Sequence, residues 1–156
     1  MKKNILISII IAVALFNINS TRLGHNRAFL IPNNQGNDTN KYLQDHIISR
    51  KADFQGKDLT YLLAAMDVKV KSYRPIRGDR PGAPYRCIIL HFENVVVTDN
   101  KIGQLKPVPF LTVFFENELP GNKAMGLYVQ SNGNWTQAEA DYYGKMKIKD
   151  IVGAKQ

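Results

Sequence analysis

A single cysteine, Cys87, stands in the whole chain of 156 residues. No intrachain disulfide can therefore hold the fold, which must rest on an apolar core. Within the run CIILHF, Cys87 reads as a small buried apolar residue. Histidine is nearly as scarce: His25, His46 and His91 are never at ligand spacing, and without a second cysteine nothing supports a structural zinc site. Neither a glycine-rich phosphate cradle nor a G-x-S-x-G elbow occurs, so the sequence implies no cofactor and no metal. Acid is short too. Lys and Arg number 21 against 13 Asp and Glu, for a net charge of +8. A basic chain of this kind meets anionic partners, such as lipid headgroups, acidic polysaccharide or an envelope protein.

What is there begins with residues 1–20. Lys2 and Lys3 precede the apolar run from Ile5 to Phe16, and Ile18 and Ser20 suit the −3 and −1 positions of a cleavage site. This pattern predicts a secretory signal of bacterial type, too short and wrongly flanked for a membrane anchor. No cysteine lies at the cleavage point to carry a lipid, and no later run is apolar enough to span a bilayer. The expectation is an exported, soluble protein, periplasmic or extracellular, for which nucleic acid is not an expected partner. Removing 20 of 156 residues leaves 136, enough for one domain, with 19 basic against 13 acidic residues and a charge of +6. Residues 21–39 are rich in Asn and Gly and read as a flexible leader, with Ala28 to Ile31 touching the domain; 40–156 form a single domain.

Within that domain a first helix is expected from Asn40, as cap, to about Lys51, with Leu43 and Ile47 facing inward. Leu59, Leu62, Leu63 and Met66 then fall at i, i+3, i+4 and i+7, one face of a second helix. The period changes to two at Val68, Val70 and Ser72, alternating with Lys69, Lys71 and Tyr73, which predicts a strand that Pro75 ends. Arg74 to Arg86 reads as a loop. Tyr85 to Phe92, apolar on both faces, predicts a central strand, with Val95 to Val97 continuing it. Thr98 to Pro107 reads as a turn, Phe110 to Phe115 as a strong strand and Met125 to Gln130 as a shorter one. Thr136 and Glu139 form a capping box opening a short helix, with Gly144 as a left-handed stop. Lys145 to Ile151 closes the chain as a strand with Met146 and Ile148 inward. The class is α+β: a mainly antiparallel sheet of four to five strands, two N-terminal helices and one short helix before the last strand.

The segment FQGKDLTYLLAAMDVKVKSYRP, with YYGKMKIKDI near the end, resembles a group of short exported proteins of Bacteroidota that share an "IGKPL…LL…L…IKSY" outline. Gly56, Lys57, Leu59, Leu62, Leu63, Lys71, Ser72 and Tyr73 match it, and Val70 stands near its isoleucine. Asp58 departs from it, standing where the outline has proline. The resemblance covers about a fifth of the chain; it implies export and supplies no catalytic residue.

Several constellations compete for function. Lys69 and Lys71 on one strand, Lys145, Lys147 and Lys149 on another, and Arg74, Arg77, Arg80 and Arg86 between them would place nine cations on one side if the two strands are neighbours. The alternative is a solvated face whose lysines discourage edge pairing. Cys87 and His91 share a strand face, but four residues separate them by about 13 Å, too far for a nucleophile and its base. Glu116 and Glu118 point to one side of a strand end; with Glu93 and His91 they are the material for a small secreted hydrolase. Arg77-Gly78-Asp79 spells an adhesive tripeptide, or a turn in which Asp79 pairs with an arginine. Trp135, Tyr142 and Tyr143 would serve as a sugar platform or as packing for the last helix. Two glycosylation patterns, at Asn37 and Asn134, are discounted beside a bacterial signal. The reading reached is a binding protein for an anionic envelope component or a protein partner, rather than an enzyme.

Overall fold

Inward apolar residues of four strands build one antiparallel sheet in the order β1 (Ser72–Arg77), β2 (Tyr85–His91), β3 (Phe110–Leu119) and β4 (Ile148–Gly153). The computed structural model describes residues 35–78 and 83–153. The expected signal, the Ala28 to Ile31 contact, Asp79 and Arg80 lie outside them. Rows of side chains run across the sheet in register. Tyr73, Leu90 and Leu111 form one row, and Pro75, Ile88, Val113 and Ile151 the next. Phe115 opposite Ile148 completes this face.

That face joins one hydrophobic core with the helices. Leu43 and Ile47 come from α1 (Gln35–His46) and its end, and Phe54 follows the 3-10 turn Ile48–Asp53. Leu59 and Leu62 come from α2 (Leu59–Ala65), Ala124 and Leu127 from α4 (Gly121–Ser131), and Tyr143 from α5 (Gln137–Tyr143). The α2 spacing read from the sequence holds: Leu59 and Leu62 are fully buried, and Leu63 and Met66 pack partly against the core. The opposite sheet face carries Ile76, Ile89, Phe110, Thr112 and Phe114, all half-buried. α3 (Val95–Gly103) reaches it at one corner, where Asp99 meets Arg74.

The α+β class and the antiparallel sheet stand, with four strands. Several elements differ from expectation. α1 starts at Gln35, so the last five leader residues are helical, and it stops at His46 before a separate 3-10 turn. Val68 to Lys71 is not strand; β1 begins at Ser72 and runs through Pro75. β1 is an edge strand whose Tyr73 N–H points outward to Gly133 O at 2.9 Å. Pro75, two residues on, would aim its missing donor the same way, so the sheet loses no bond. Arg74 to Arg77 therefore belong to a strand rather than to the loop, while Tyr85 and Arg86 open β2 as the strand expected from Tyr85.

Val95 to Val97 open a helix instead of extending β2. The Asn94 side chain accepts from Val97 N–H at 2.9 Å and caps α3, and this cap outweighs the β-branched run. Met125 to Gln130 is helical too, because Ala124, Leu127 and Tyr128 follow the 3.6-residue period into the core. Pro120 and Gly121 stand at the start of that helix. The α5 capping box forms as expected. Gly144 does not adopt a left-handed stop; its φ is −55°. In β4 the inward residues are Ile148 and Ile151, three apart, because Lys149 is bulged between the pairs Phe115–Ile148 and Phe114–Asp150.

Candidate functional site

Residues 56–60 lie antiparallel to 144–148 as a short rung outside β4. Gly56 N–H donates to Ile148 O at 2.8 Å, Ile148 N–H to Lys57 O at 2.9 Å, Leu59 N–H to Met146 O at 3.0 Å and Thr60 N–H to Gly144 O at 3.0 Å. Asp58 bridges Lys147. This pairing brings Lys57, Lys145, Lys147 and Lys149 to one edge of the molecule. It also frames an open depression of about 480 Å³ lined by Gly56, Lys57, Asp58, Thr60, Tyr61 and Lys147.

Each side of that depression has a physical cause. Gly56 turns the chain at φ +72°, a conformation that costs a glycine little, and its missing side chain leaves the space above it open. Tyr61 is 56% exposed, and its ring leans on buried Phe54 with centroids 6.2 Å apart. The Thr60 hydroxyl donates to Gly144 O at 3.2 Å. Lys147 rests its ammonium 3.3 Å from Gly56 O and 3.7 Å from the Asp58 carboxylate, a loose and exposed pair. Among the described residues Lys57, Lys145 and Lys149 form no ion pair. Chemically the edge offers several ammonium donors, one carboxylate acceptor and an aromatic wall.

Eight of the nine cations expected to gather lie among the described residues, and they do not share one strand-to-strand surface. β1 and β4 are opposite edges with two strands between them, about 14 Å apart at strand spacing. Lys69 and Lys71 are exposed ahead of β1. Arg74 pairs with Asp99 at 3.1 Å and Arg86 with Glu118, while the Arg77 guanidinium stands 5.1 Å over the Tyr85 ring. Lys145, Lys147 and Lys149 remain together, joined by Lys57, Thr60 and Tyr61, which were not singled out. The rung joins positions 91 apart in the chain, and no local pattern announces it.

A second polar cluster surrounds His91, which is 7% exposed and has no partner for its Nδ1 among the described residues. Burial, and then the Arg74 charge, hold its pKa below the ordinary 6.5, against the opposing pull of Asp99 and Glu93. The gap beside it, among Ser72, Arg74, Thr98 and Asp99, has only about 10 Å³, close to the minimum for a single water. Glu93 is engaged by Lys101. Glu116 and Glu118 sit toward the far end of β3 from Phe110, the residue opposite His91. Of the hydrolase reading's carboxylates, Glu116 and Glu118 are thus not assembled with His91, while Glu93 lies near it but is engaged by Lys101. Cys87 is buried opposite Ile76 and Phe114, and desolvation raises its pKa, away from the reactive thiolate.

Trp135, Tyr142 and Tyr143 pack inward. Tyr143 is fully buried, with Tyr73, Phe115, Trp135 and Tyr142 rings at 4.9 to 6.2 Å. No group of three or more His, Cys, Asp or Glu side chains is disposed to hold a metal among the described residues. Nor is any described helix long and apolar enough to cross a membrane. Comparison of the chain with protein families, curated proteins and solved structures found no match.

Proposed function

We propose that this chain is an exported binding protein that holds an anionic component of the cell envelope at the lysine edge. The observation carrying this reading is the rung between 56–60 and 144–148, which sets Lys57, Lys145, Lys147 and Lys149 along one rigid backbone frame. Fixed cations attract an anionic polymer without chain ordering on the protein side, and the attraction weakens as salt screens it. Export is supported by the pattern of residues 1–20. The test is retention of the purified chain on anionic liposomes and acidic polysaccharide across a salt series. Binding should fall steeply with salt, and replacing Lys145, Lys147 and Lys149 by Gln should weaken it about tenfold or more at low salt. Absence of binding at low salt would overturn the reading.

A further inference from the structure

Charge alone needs no cavity and no aromatic ring, yet the lysine edge has both. The depression holds about 480 Å³, within the size range of small-molecule sites. Its floor is backbone pinned by the rung, and its wall is the exposed Tyr61 ring braced by Phe54. The face of an aromatic ring is electron-rich and attracts the polarised C–H groups along one side of a sugar ring. Asp58 can accept from sugar hydroxyls, and Lys57 and Lys147 can donate to hydroxyls or to a carboxylate.

We infer that the depression is a subsite for one sugar-acid residue, its ring against Tyr61 and its carboxylate toward Lys57 and Lys147. This inference rests on the anionic-ligand reading above and names the ligand's chemical class. Phosphate or a simple polyanion would use the lysines and leave Tyr61 idle. Gly56 belongs to the site because it lines the depression and leaves open the space a side chain there would take.

The experiment is titration of the purified chain, at low salt, with oligogalacturonate, with a neutral oligosaccharide of equal length and with polyglutamate. Oligogalacturonate should bind more tightly than both. Tyr61→Ala should weaken it about tenfold or more, whereas Tyr61→Phe, which keeps the aromatic face, should retain it. Gly56→Asn keeps a residue tolerant of positive φ while blocking the depression, and should weaken oligogalacturonate but not polyglutamate. Circular dichroism would confirm that each variant is folded. Equal binding of both polyanions, unaffected by Tyr61→Ala and Gly56→Asn, would overturn the sugar-acid subsite and leave the lysine edge standing. Failure of every anionic probe to bind would overturn both.

Discussion

At Gly144 the backbone is open to any residue, yet a Cβ built there would stand 2.8 Å from Thr60 Cγ2 and 2.2 Å from Ala140 O. The glycine is required by the Ala140 carbonyl of α5 and by the close approach of α2, whose Thr60 N–H and hydroxyl both reach the Gly144 carbonyl. Gly144→Ala should therefore cost about 2–3 kcal/mol of unfolding free energy, readable by urea titration. His91 makes a different prediction. Its folded pKa lies below 6.5, so as pH falls below that value the unfolded chain takes a proton that the folded chain refuses. Stability should be full above about pH 6.5 and decline toward pH 5. Arg74, Asp99 and Glu93 are the charged groups whose fields act on the ring. Replacing His91 by Gln should flatten the slope between pH 7 and 5 in urea midpoints. A slope unchanged in that variant would assign the effect elsewhere.

Two helices of this fold begin with similar capping chemistry and should respond differently to its loss. Thr136 and Glu139 cap α5 with both halves of the box. Glu139 is 1% exposed and also accepts from the Tyr73 hydroxyl at 3.4 Å. Thr136→Ala should cost about 1–2 kcal/mol globally, because it disturbs a buried carboxylate beside the core. α3 buries only Thr98. Asn94→Ala should remove about 1 kcal/mol of helix stability and show mainly as faster amide exchange across Val97 to Lys101, with the global midpoint almost unmoved.

The same contrast explains what could be read from the sequence. α2, β2, β3 and the α5 box declared themselves through period and cap, since each satisfies its own local rule. α4 did not, because Met125 to Gln130 suits a strand locally and becomes helical by fitting Ala124, Leu127 and Tyr128 to the core. β1 passed through a proline because only its place at the edge makes that harmless. For the site, the three lysines of the β4 segment were legible. Their company with Lys57, Thr60 and Tyr61 was not, since pairings between distant segments have no local signature.

Across the whole molecule the sheet protects both its margins. The outer side of β1 is partly occupied by 133–135, through Tyr73 N–H to Gly133 O and Trp135 N–H to Lys71 O. The outer side of the β4 segment is occupied by 56–60. Lysines on a margin already paired are not needed to prevent strand addition there, which removes one competing explanation for them. They are exposed and, apart from the loose Lys147 contact, make no ion pair among the described residues. Replacing Lys145, Lys147 and Lys149 together by Gln should then shift the unfolding free energy by no more than about 0.5 kcal/mol per site. A large destabilisation, measured in urea, would mean that these side chains serve the fold rather than a ligand.

The rung that frames the depression also sets the order of events when the chain folds. It ties Gly56 to a strand 91 positions later, and β3 cannot be flanked on its second side until that strand arrives. Such distant closure incurs the entropy of a long loop before any contact rewards it, which slows folding. Refolding of the purified chain should be correspondingly slow, roughly in the millisecond-to-second range, with the sheet completed only when residues 144–153 dock.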